Sequence, residues 1–399
     1  MGDRLHAPDE DGPPGDDVMV SAVMPCLNEE QTLGLCIEKA QRCFARLGLT
    51  GEVVVADNGS TDRSVAIAES LGARVVHESR RGYGAALLAG IGAARGGIIV
   101  MADADDSYDW EAMDDFIAAV RGGSDLVMGN RFRGGIEPGA MPPLHRYFGN
   151  PVLSWLAGLM YRIPVGDFHC GMRAFSRDAF ARISVRTTGM EFATEMVVNA
   201  ARAGLRITEI PTRLFPDKRD RPPHLRSFRD GWRHLRFMLT YAPDYLYVGP
   251  GAALFFAGVL GMALLAAGPA ELGGFRLGIH FLALASLLTL LGANVVGFGM
   301  LAQLINSRHK AIENDSFFGW LLRYFTLERG MVLGGLLCLG GGLVDAWIFF
   351  EWLARNRGDM KDTVHLAFVA STIVVLGVNT LFGVFLFNMV REETGAWKA

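Results

Sequence analysis

The chain has 399 residues, of which 50% are hydrophobic and 20% charged, and its formal net charge is −4. A mean hydropathy of +0.24 is high for a water-soluble enzyme, and the composition excludes disordered, collagen-like and small disulfide-bonded proteins. The five cysteines form no CxxC pair, so we expect neither a disulfide framework nor a zinc site, and a reducing compartment fits.

Residues 1–17 hold six acids and one arginine, together with proline and glycine, and we expect a disordered acidic tail. The tail has no basic start followed by an apolar core, so a signal peptide is not expected. From residue 18 to residue 224 the composition is that of a globular domain. Short runs rich in valine and isoleucine alternate there with helix-like stretches, and they cover 19–23, 52–56, 74–77, 98–102 and 125–129.

Strands that alternate with helices predict an α/β fold with a mainly parallel, Rossmann-like sheet. Ligands of such sheets bind beyond the carboxyl ends of the strands. Polar and acidic motifs follow three of the predicted strands: PCLNE (25–29), DNGSTD (57–62) and ADADD (102–106). Taken singly, Asn28 and Ser60 are equally typical of helix caps. The convergence of three polar strand ends nevertheless indicates a binding site at this edge.

Asp103 and Asp105 flank a small residue directly after a predicted strand. Their carboxylates can share a hard divalent cation, Mg²⁺ or Mn²⁺, together with phosphates bound to it. Without a cation, these acids and Asp106 would repel one another in a partly dry cleft. A solvated acidic turn is the alternative interpretation.

The middle of the chain is basic and aromatic, and planar guanidinium groups suit phosphate oxygens. For Arg131 and Arg146 we favour phosphate binding, whereas for Arg133 and Arg162 ion pairing with nearby acids is equally expected. Nucleic acid is not an expected partner, because no contiguous basic stripe with stacking aromatics is present. A dinucleotide site at Gly82-x-Gly84 is not expected either, since the third position of that fingerprint is Leu87.

Together with GNRF (129–132) and DFHCGMR (167–173), these motifs resemble the family 2 glycosyltransferases of the GT-A fold. Within that family the chain is most similar to the dolichol-phosphate mannose synthases and to bacterial polyprenyl-phosphate glycosyltransferases with C-terminal membrane helices. The resemblance covers residues 19–239 by motif and the rest of the chain by architecture.

The resemblance implies that Asp57 contacts the nucleotide base and that Asp103 and Asp105 bind the donor pyrophosphate through Mg²⁺ or Mn²⁺. It also implies that Arg131 faces the acceptor phosphate and the donor pyrophosphate, and that Glu195 lies near the donor sugar. Glu191 and Glu195 are four residues apart, and by motif match we favour Glu195 for the site. The motif DFHCGMR adds Asp167. The candidate catalytic residues are Asp105, Arg131, Asp167 and Glu195; the candidate acceptor-phosphate residues are Arg131 and Arg146; and the candidate donor-nucleotide residues are Pro25, Asn28, Glu29, Asp57, Asn58, Gly82, Gly84 and Asp103.

The sequence also departs from the family pattern. Asn58 stands where the family commonly has a second acid, and Tyr83 where it often has lysine. Asp106-Ser107 replaces a frequent Leu-Gln pair, and a different basic segment occupies 218–224. The choice of donor and acceptor is therefore left open.

Residues 225–247 form an amphipathic region whose apolar positions recur at spacings of three and four, with arginines on the adjoining face. We expect a helix that lies in the membrane interface, and an ordinary core helix is the alternative. Residues 248–399 hold four long apolar segments, at 248–268, 277–305, 331–353 and 364–390, each long enough to cross a bilayer. Lysine and arginine are more frequent near the ends on one side, which predicts a plasma-membrane protein with a cytoplasmic N-terminal domain.

The expected function is that of an inverting glycosyltransferase, which moves a sugar from a UDP- or GDP-linked donor to a polyprenyl (dolichyl or undecaprenyl) phosphate at the cytoplasmic membrane face. One alternative is a membrane glycosyltransferase that acts on a glycolipid or a growing polysaccharide, although the QxxRW motif of processive synthases does not occur. Another is a non-catalytic, nucleotide-binding membrane partner. The sequence leaves homo-oligomerisation open.

Overall fold

The computed structural model describes residues 19–218, 227–306, 324–354 and 363–394. The predicted acidic tail and the segment 219–226 lie outside the described residues. The same holds for five of the basic residues on which the predicted membrane orientation depends: Arg226, Arg308, Lys310, Arg323 and Lys398. The chain divides into two compact units, Met1–Met238 and Leu239–Ala399, which are described separately below.

The first unit is built on a seven-stranded sheet with the strand order β3-β2-β1-β4-β6-β5-β7. All strand pairs are parallel except those of β6, which runs antiparallel to both β4 and β5. The strands are β1 Val20–Cys26, β2 Gly51–Asp57, β3 Arg74–His77, β4 Ile98–Met101, β5 Leu126–Asn130, β6 Arg173–Ser176 and β7 Ile207–Pro211. The predicted mainly parallel sheet is confirmed, and the sequence analysis missed β6 and β7.

Helices cover both faces of this sheet. Ala22 and Met24 of β1 belong to a core that also contains Leu33 and Ile37, whereas Val23 of β1 points to the other face and adjoins Gly90. The helices are α1 Leu33–Leu47, α2 Ser64–Ser70, α3 Tyr83–Ala93, α4 Asp114–Arg121, α5 Arg131–Gly134, α6 Asn150–Tyr161, α7 Arg177–Ile183, α8 Phe192–Arg202 and α9 Ser227–Tyr241. A 3₁₀ turn, Trp110–Met113, precedes α4, and a π-helical turn, His145–Gly149, leads directly into α6.

The second unit is helical: α10 Gly249–Leu265, α11 Ile279–Asn306, α12 Leu327–Ala354 and α13 Val364–Thr394. Four candidate membrane spans, Asp244–Leu265, Ile279–Asn306, Leu327–Ala354 and Val364–Glu393, are long and apolar enough to cross a bilayer, which confirms the predicted four-helix arrangement. A small hairpin that was not predicted, β8 Ala270–Leu272 and β9 Phe275–Leu277, connects α10 to α11.

Small residues allow the membrane helices to approach closely. A Cβ on Gly258 of α10 would lie 2.4 Å from the backbone nitrogen of Thr289 on α11, and one on Gly377 of α13 would lie 2.6 Å from Sγ of Cys338 on α12. Ser286 on α11 and Thr372 on α13 add a hydroxyl–hydroxyl hydrogen bond of 2.6 Å. Such contacts are typical of helix packing in membranes, where apolar side chains alone give no preference for protein over lipid.

Candidate functional site

The carboxyl ends of β1 and β2 adjoin, because Cys26 pairs with Asp57 in the parallel register and Pro25 pairs with Ala56. The loops that follow are tied together at Asn28, whose backbone is in the left-handed region with φ +59°. The Asn28 backbone N–H donates to Ser60 Oγ at 2.9 Å, and its side-chain Oδ1 accepts from the Thr61 N–H at 2.7 Å. The neighbouring Glu29 is buried, and its N–H donates to Ser64 Oγ at 2.8 Å. Asn28 and Glu29 therefore hold this edge of the site in shape.

Asp57 is the last residue of β2 and is nearly buried. Burial alone would raise the pKa of its carboxyl group, but hydrogen bonds from Ser60, His77 and Gly59 outweigh burial and lower it. His77 Nδ1 lies 3.2 Å from Asp57 Oδ2. The carboxylate is thus held in its charged form at the place where the family resemblance expects a nucleotide base.

Asn58 fastens the end of β2 to the loop before α3. Its side-chain Nδ2 donates to the carbonyls of Glu78 (3.0 Å) and Arg80 (2.8 Å), and its Oδ1 accepts from the Gly82 N–H (2.8 Å). The amide uses both its donors and its acceptor in this way. A carboxylate at this position could not donate to the two carbonyls, which explains why asparagine stands where the family commonly has an acid.

Gly82 and Gly84 lie against the segment 187–189. Gly82 has φ +148°, and a Cβ there would fall 2.1 Å from the carbonyl oxygen of Thr188; a Cβ on Gly84 would fall 2.5 Å from that of Thr187. Only glycine permits this close approach of two backbones. The structure therefore assigns both glycines a packing role beside the candidate donor site.

Asp103 and Asp105 follow β4 at the same edge of the sheet. A Cβ on Gly171 would lie 2.9 Å from Asp103 Oδ2, so the loop before β6 passes directly over this carboxylate. Asp105 is buried, and its Oδ1 accepts from the Ser107 N–H (3.0 Å) and hydroxyl (2.5 Å). The next residue, Asp106, is buried between two cations and lies 2.6 Å from both Lys39 Nζ and Lys218 Nζ.

The residues at this edge suit a hard cation that the substrate helps to bind. Within the described parts of the chain, no group of three His, Cys, Asp or Glu side chains could hold a metal ion alone. Mg²⁺ is commonly bound by one or two carboxylates, with substrate phosphates and water completing the shell. Asp103 and Asp105 offer such carboxylates. The paired lysines make Asp106 a structural acid.

Arg131 and Asp167 form a buried, bidentate ion pair. Arg131 Nε donates to Asp167 Oδ2 at 2.7 Å, Nη2 donates to Oδ1 at 2.7 Å, and the Arg131 backbone N–H adds a third bond to Oδ2 at 3.0 Å. Glu209 of β7 supports the pair by accepting from the backbone N–H groups of Gly166 (2.8 Å) and Asp167 (3.1 Å). Asp167 takes two of the five guanidinium N–H groups, so three are left for other partners.

Tyr108 connects the acidic and basic parts of the site. Its hydroxyl accepts from the Gly171 N–H at 2.9 Å. Burial raises the pKa of Tyr108 well above its usual value, the negative charge of Asp103 adds to this effect, and the Arg131 guanidinium opposes it. The loop that precedes β6 carries Gly171, which lies against Asp103, and Asp167, which pairs with Arg131, so this loop links the acidic and the basic groups.

Arg146 lies in the π-helical turn, with its guanidinium 5.5 Å from the ring centre of Tyr147. The preceding His145 is close enough to Arg131 for that charge to matter: burial lowers the pKa of His145, and the Arg131 guanidinium lowers it further. The turn that carries Arg146 lies in the chain between Arg131 and Asp167.

Glu195 organises a loop. Its Oε2 accepts from the N–H groups of Arg186 (3.0 Å) and Thr187 (2.8 Å) and from the Thr187 hydroxyl (2.6 Å). These bonds fix the segment that packs on Gly82 and Gly84. Glu195 therefore supports this wall, and its role near the donor sugar stays a prediction.

Three supporting groups were not predicted from the sequence: Glu209, Arg173 and the Lys39–Lys218 pair. Arg173 is fully buried and donates to the carbonyls of Cys170 (3.0 Å), Phe168 (3.0 Å) and Ala193 (2.7 Å). The sequence did contain a signal for it, because an arginine inside the short apolar run 172–175 needs buried acceptors.

Residues 21–184 match the family described as glycosyl transferase family 2, and residues 300–391 match the glycosyltransferase family 2 C-terminal transmembrane region. The low-salt glycan biosynthesis hexosyltransferase Agl6 of Haloferax volcanii is 40% identical over 374 residues, which cover 94% of this chain and 89% of the relative. A dolichyl-phosphate hexose transferase of the same organism is 35% identical over 193 residues, or 48% of this chain and 81% of the relative.

Among solved structures, the glucosyl-3-phosphoglycerate synthase of Mycobacterium tuberculosis, in complex with Mn²⁺, UDP and glucosyl-3-phosphoglycerate, is 23% identical over 56% of this chain and 77% of its own, with a TM-score of 0.44. The identity and coverage shared with the Haloferax hexosyltransferase, together with the two family matches, carry the assignment. The chain belongs to the family 2 glycosyltransferases and combines their catalytic domain with a C-terminal transmembrane region.

Proposed function

We propose that the protein transfers a hexose from a nucleotide sugar to a polyprenyl phosphate, with inversion at the anomeric carbon. The observation that carries the proposal is the loop before β6. Its Gly171 lies against the Asp103 carboxylate and donates to the Tyr108 hydroxyl, and its Asp167 forms the buried ion pair with Arg131. This site belongs to a chain with four candidate membrane spans, which favours an acceptor that resides in the bilayer. The dolichyl-phosphate hexose transferase relative supports the same acceptor class.

The donor half of the site would use the edge formed by β1, β2 and β4. Asp57 is held ionised and can accept hydrogen bonds from a nucleotide base. Asp103 and Asp105 would hold Mg²⁺ or Mn²⁺, and when bound the cation would neutralise charge on the nucleoside diphosphate. Pro25, Asn28 and Glu29 shape the neighbouring wall, and the Gly82–Gly84 turn closes it.

The acceptor half would be formed by Arg131 and Arg146. A phosphate monoester already carries negative charge at pH 7, so its oxygen can attack without a strong general base. The task of the protein is then to orient the two anions and to offset their repulsion. Asp167 fixes the plane of the Arg131 guanidinium, and the remaining N–H groups of Arg131 would donate to phosphate oxygens.

A transfer assay with the full-length protein in membranes tests this proposal. Radiolabelled UDP- and GDP-sugars are offered with undecaprenyl or dolichyl phosphate, and we expect a chloroform-soluble, mild-acid-labile product whose NMR spectrum shows a β linkage. D105N is expected to abolish it, whereas D115N, a change at an exposed acid of α4, should leave it intact. Transfer to a glycolipid or a growing polysaccharide instead, or metal-dependent nucleotide binding without any transfer, would contradict the proposal.

We further propose that the catalytic unit lies on the cytoplasmic side of the plasma membrane. The excess of lysine and arginine near 226–236, 308–329 and 391–398 supports this orientation. Nucleotide sugars are made in the cytoplasm, which agrees with a donor site on that side.

A further inference from the structure

The segment between β5 and β6 contains a helix that buries small residues and exposes large apolar ones, the reverse of a surface helix in a water-soluble protein. The π-helical turn and α6 form one continuous helical stretch in which only small residues, Ser154 and Ala157, are buried. The large apolar side chains point outward. We call them the aromatic face: Leu144 (50% exposed), Tyr147 (74%), Phe148 (62%), Trp155 (65%) and Leu159 (46%).

Soluble proteins rarely leave so many large apolar side chains together on one surface, and such a patch marks an interaction site. Leu144, Phe148, Trp155 and Leu159 follow one another at spacings of four, seven and four, which keeps them on one side of the helical stretch. The face is therefore a continuous stripe.

All formally charged side chains in the same segment are positive. Residues 138–166 contain no aspartate or glutamate, and they do contain Arg146 near the start of the stripe and Arg162 at its end. Arg162 is exposed in the structure. Arginines at the edges of an apolar stripe, with aromatic rings between them, match the anionic headgroups and the acyl boundary of a bilayer.

The end of this segment is bonded to a residue that is close in sequence to the first candidate membrane span. The Tyr161 hydroxyl, at the end of α6, donates to the carbonyl of Met238 in α9 at 2.7 Å. Met238 lies only a few residues before Asp244, where the first candidate membrane span begins. A hydrogen bond thus joins the end of the aromatic face to the part of the chain that must reach the bilayer.

We propose that the aromatic face is a second membrane-binding element, distinct from the predicted interfacial helix at 225–247, and that it inserts into the headgroup and upper acyl region of an anionic leaflet. Arg162 lies on lipid phosphates in this arrangement. The same turn carries Arg146, the candidate acceptor-phosphate residue, so an inserted aromatic face would place that residue at the lipid surface. This last consequence rests on the proposed function, whereas the insertion does not.

Site-directed spin labelling of the full chain in phosphatidylcholine–phosphatidylglycerol nanodiscs tests the insertion. The labels are placed by W155C and, independently, by L159C in a C338A background, since the other four cysteines are buried. E69C on α2, which is exposed and lies in the same unit, is the matched control. Collision rates with oxygen, which concentrates in the bilayer, and with a water-soluble nickel chelate are then compared.

We expect a severalfold higher oxygen-to-nickel ratio at residues 155 and 159 than at residue 69, and a further rise with the fraction of anionic lipid. Ratios equal to that of the control at both positions would overturn the proposal. Protection from both reagents, with spin–spin broadening between protein copies, would show that a second copy of the chain covers the face, and would overturn it as well. If the labels report insertion but no lipid-linked sugar forms, the proposed function fails while the inference stands.

Discussion

At the scale of single residues, the site depends on charges that are buried with their partners. Arg131 meets a carboxylate, Arg173 meets three carbonyls, and Asp106 meets two lysines. An isolated buried charge is costly, and the partners of each group offset that cost. Removing one partner should therefore cost more than removing an exposed charge.

The Arg131–Asp167 pair allows this to be measured. We expect D167N to lower the free energy of unfolding by about 3–5 kcal/mol, because it leaves a buried guanidinium without a counter-charge. The matched change E137Q breaks the exposed Arg213–Glu137 pair, at 3.7 Å, and should cost below about 1 kcal/mol. Chemical denaturation of the detergent-solubilised protein compares the two. Equal losses would show that Asp167 does not compensate Arg131.

Asn58 gives a second prediction. N58D replaces two donated hydrogen bonds to carbonyls with a carboxylate that faces them, and we expect a loss of about 1–3 kcal/mol per unsatisfied group. N28D keeps the acceptor for the Thr61 N–H, so its effect on stability should be small. The thermal unfolding midpoints of both variants check this. An unchanged midpoint for N58D would be evidence against the fastening role of the amide.

The sequence predicted the acidic strand ends well but not the partners of the charged groups. Asp57, Asp103 and Asp105 follow directly from strands that the apolar pattern identifies. By contrast, Asp167 meets Arg131 across 36 positions of sequence, and Glu209 joins them from a strand that pairs with β5. Such pairings depend on the tertiary fold, and no local pattern encodes them.

At the scale of elements, the wall formed by the N-terminal end of α3 and the segment 187–189 depends on glycine. We expect G84A to destabilise the first unit and to weaken nucleotide binding, because its Cβ would collide with the carbonyl of Thr187. G92A on the same helix meets no atom within 4 Å and should stabilise the helix by about 0.5–1 kcal/mol. Thermal unfolding and calorimetric titration with UDP or GDP plus Mn²⁺ compare the two. A neutral G84A would contradict the close packing.

Helix α9 contacts the loop before β6 through two histidines. The rings of His169 and His234 meet edge to face at 4.7 Å, and His234 Nδ1 lies 2.8 Å from the Thr194 hydroxyl. Neither ring nitrogen of the buried His169 has a hydrogen-bond partner among the described residues. Burial lowers the pKa of His169 well below its usual 6.5, and the charges of His234, Arg131, Arg173 and His145 lower it further.

A group whose folded-state pKa is lowered favours the folded protein above its unfolded pKa and loses that contribution as the pH falls. We therefore expect stability to decrease below about pH 6.5, by up to about 1.4 kcal/mol per pH unit from His169. H169F keeps an aromatic ring and removes the titration, so it should flatten this part of the profile. Unfolding midpoints between pH 7.5 and 5.5 are the measurement. Parallel profiles for wild type and H169F would exclude His169 as the source.

The elements that the sequence missed share a physical cause. Strand β6 begins with Arg173 and ends with Ser176, so only the two residues between them are apolar, whereas β4, of the same length, is apolar throughout. Strand β7 lies at the edge of the sheet and reads Ile-Thr-Glu-Ile-Pro, an alternating pattern that a loop also permits. The β8–β9 hairpin is too short for a periodic signal. The long membrane helices, by contrast, were evident from composition alone.

At the scale of the whole molecule, an even number of spans fixes the relation between the two ends of the chain. With four membrane helices, reporters fused to the N terminus and to the C terminus should lie on the same side of the membrane. The basic residues predict that this side is the cytoplasm. Paired fusions to alkaline phosphatase and green fluorescent protein measure it, and opposite signals at the two ends would show that one apolar helix does not cross the bilayer.

The antiparallel direction of β6 has a consequence for how the enzyme family can diversify. Strand β5 ends, and β6 begins, at the same edge of the sheet, so residues 131–172 leave and re-enter the framework at neighbouring points. The part between the paired Arg131 and Asp167, including the outward-facing rings of α6, can change length and chemistry without altering the order of the strands. A chimaera that receives this excursion from another family member should fold on the same scaffold and keep its preference for the sugar nucleotide, while its choice of lipid follows the graft.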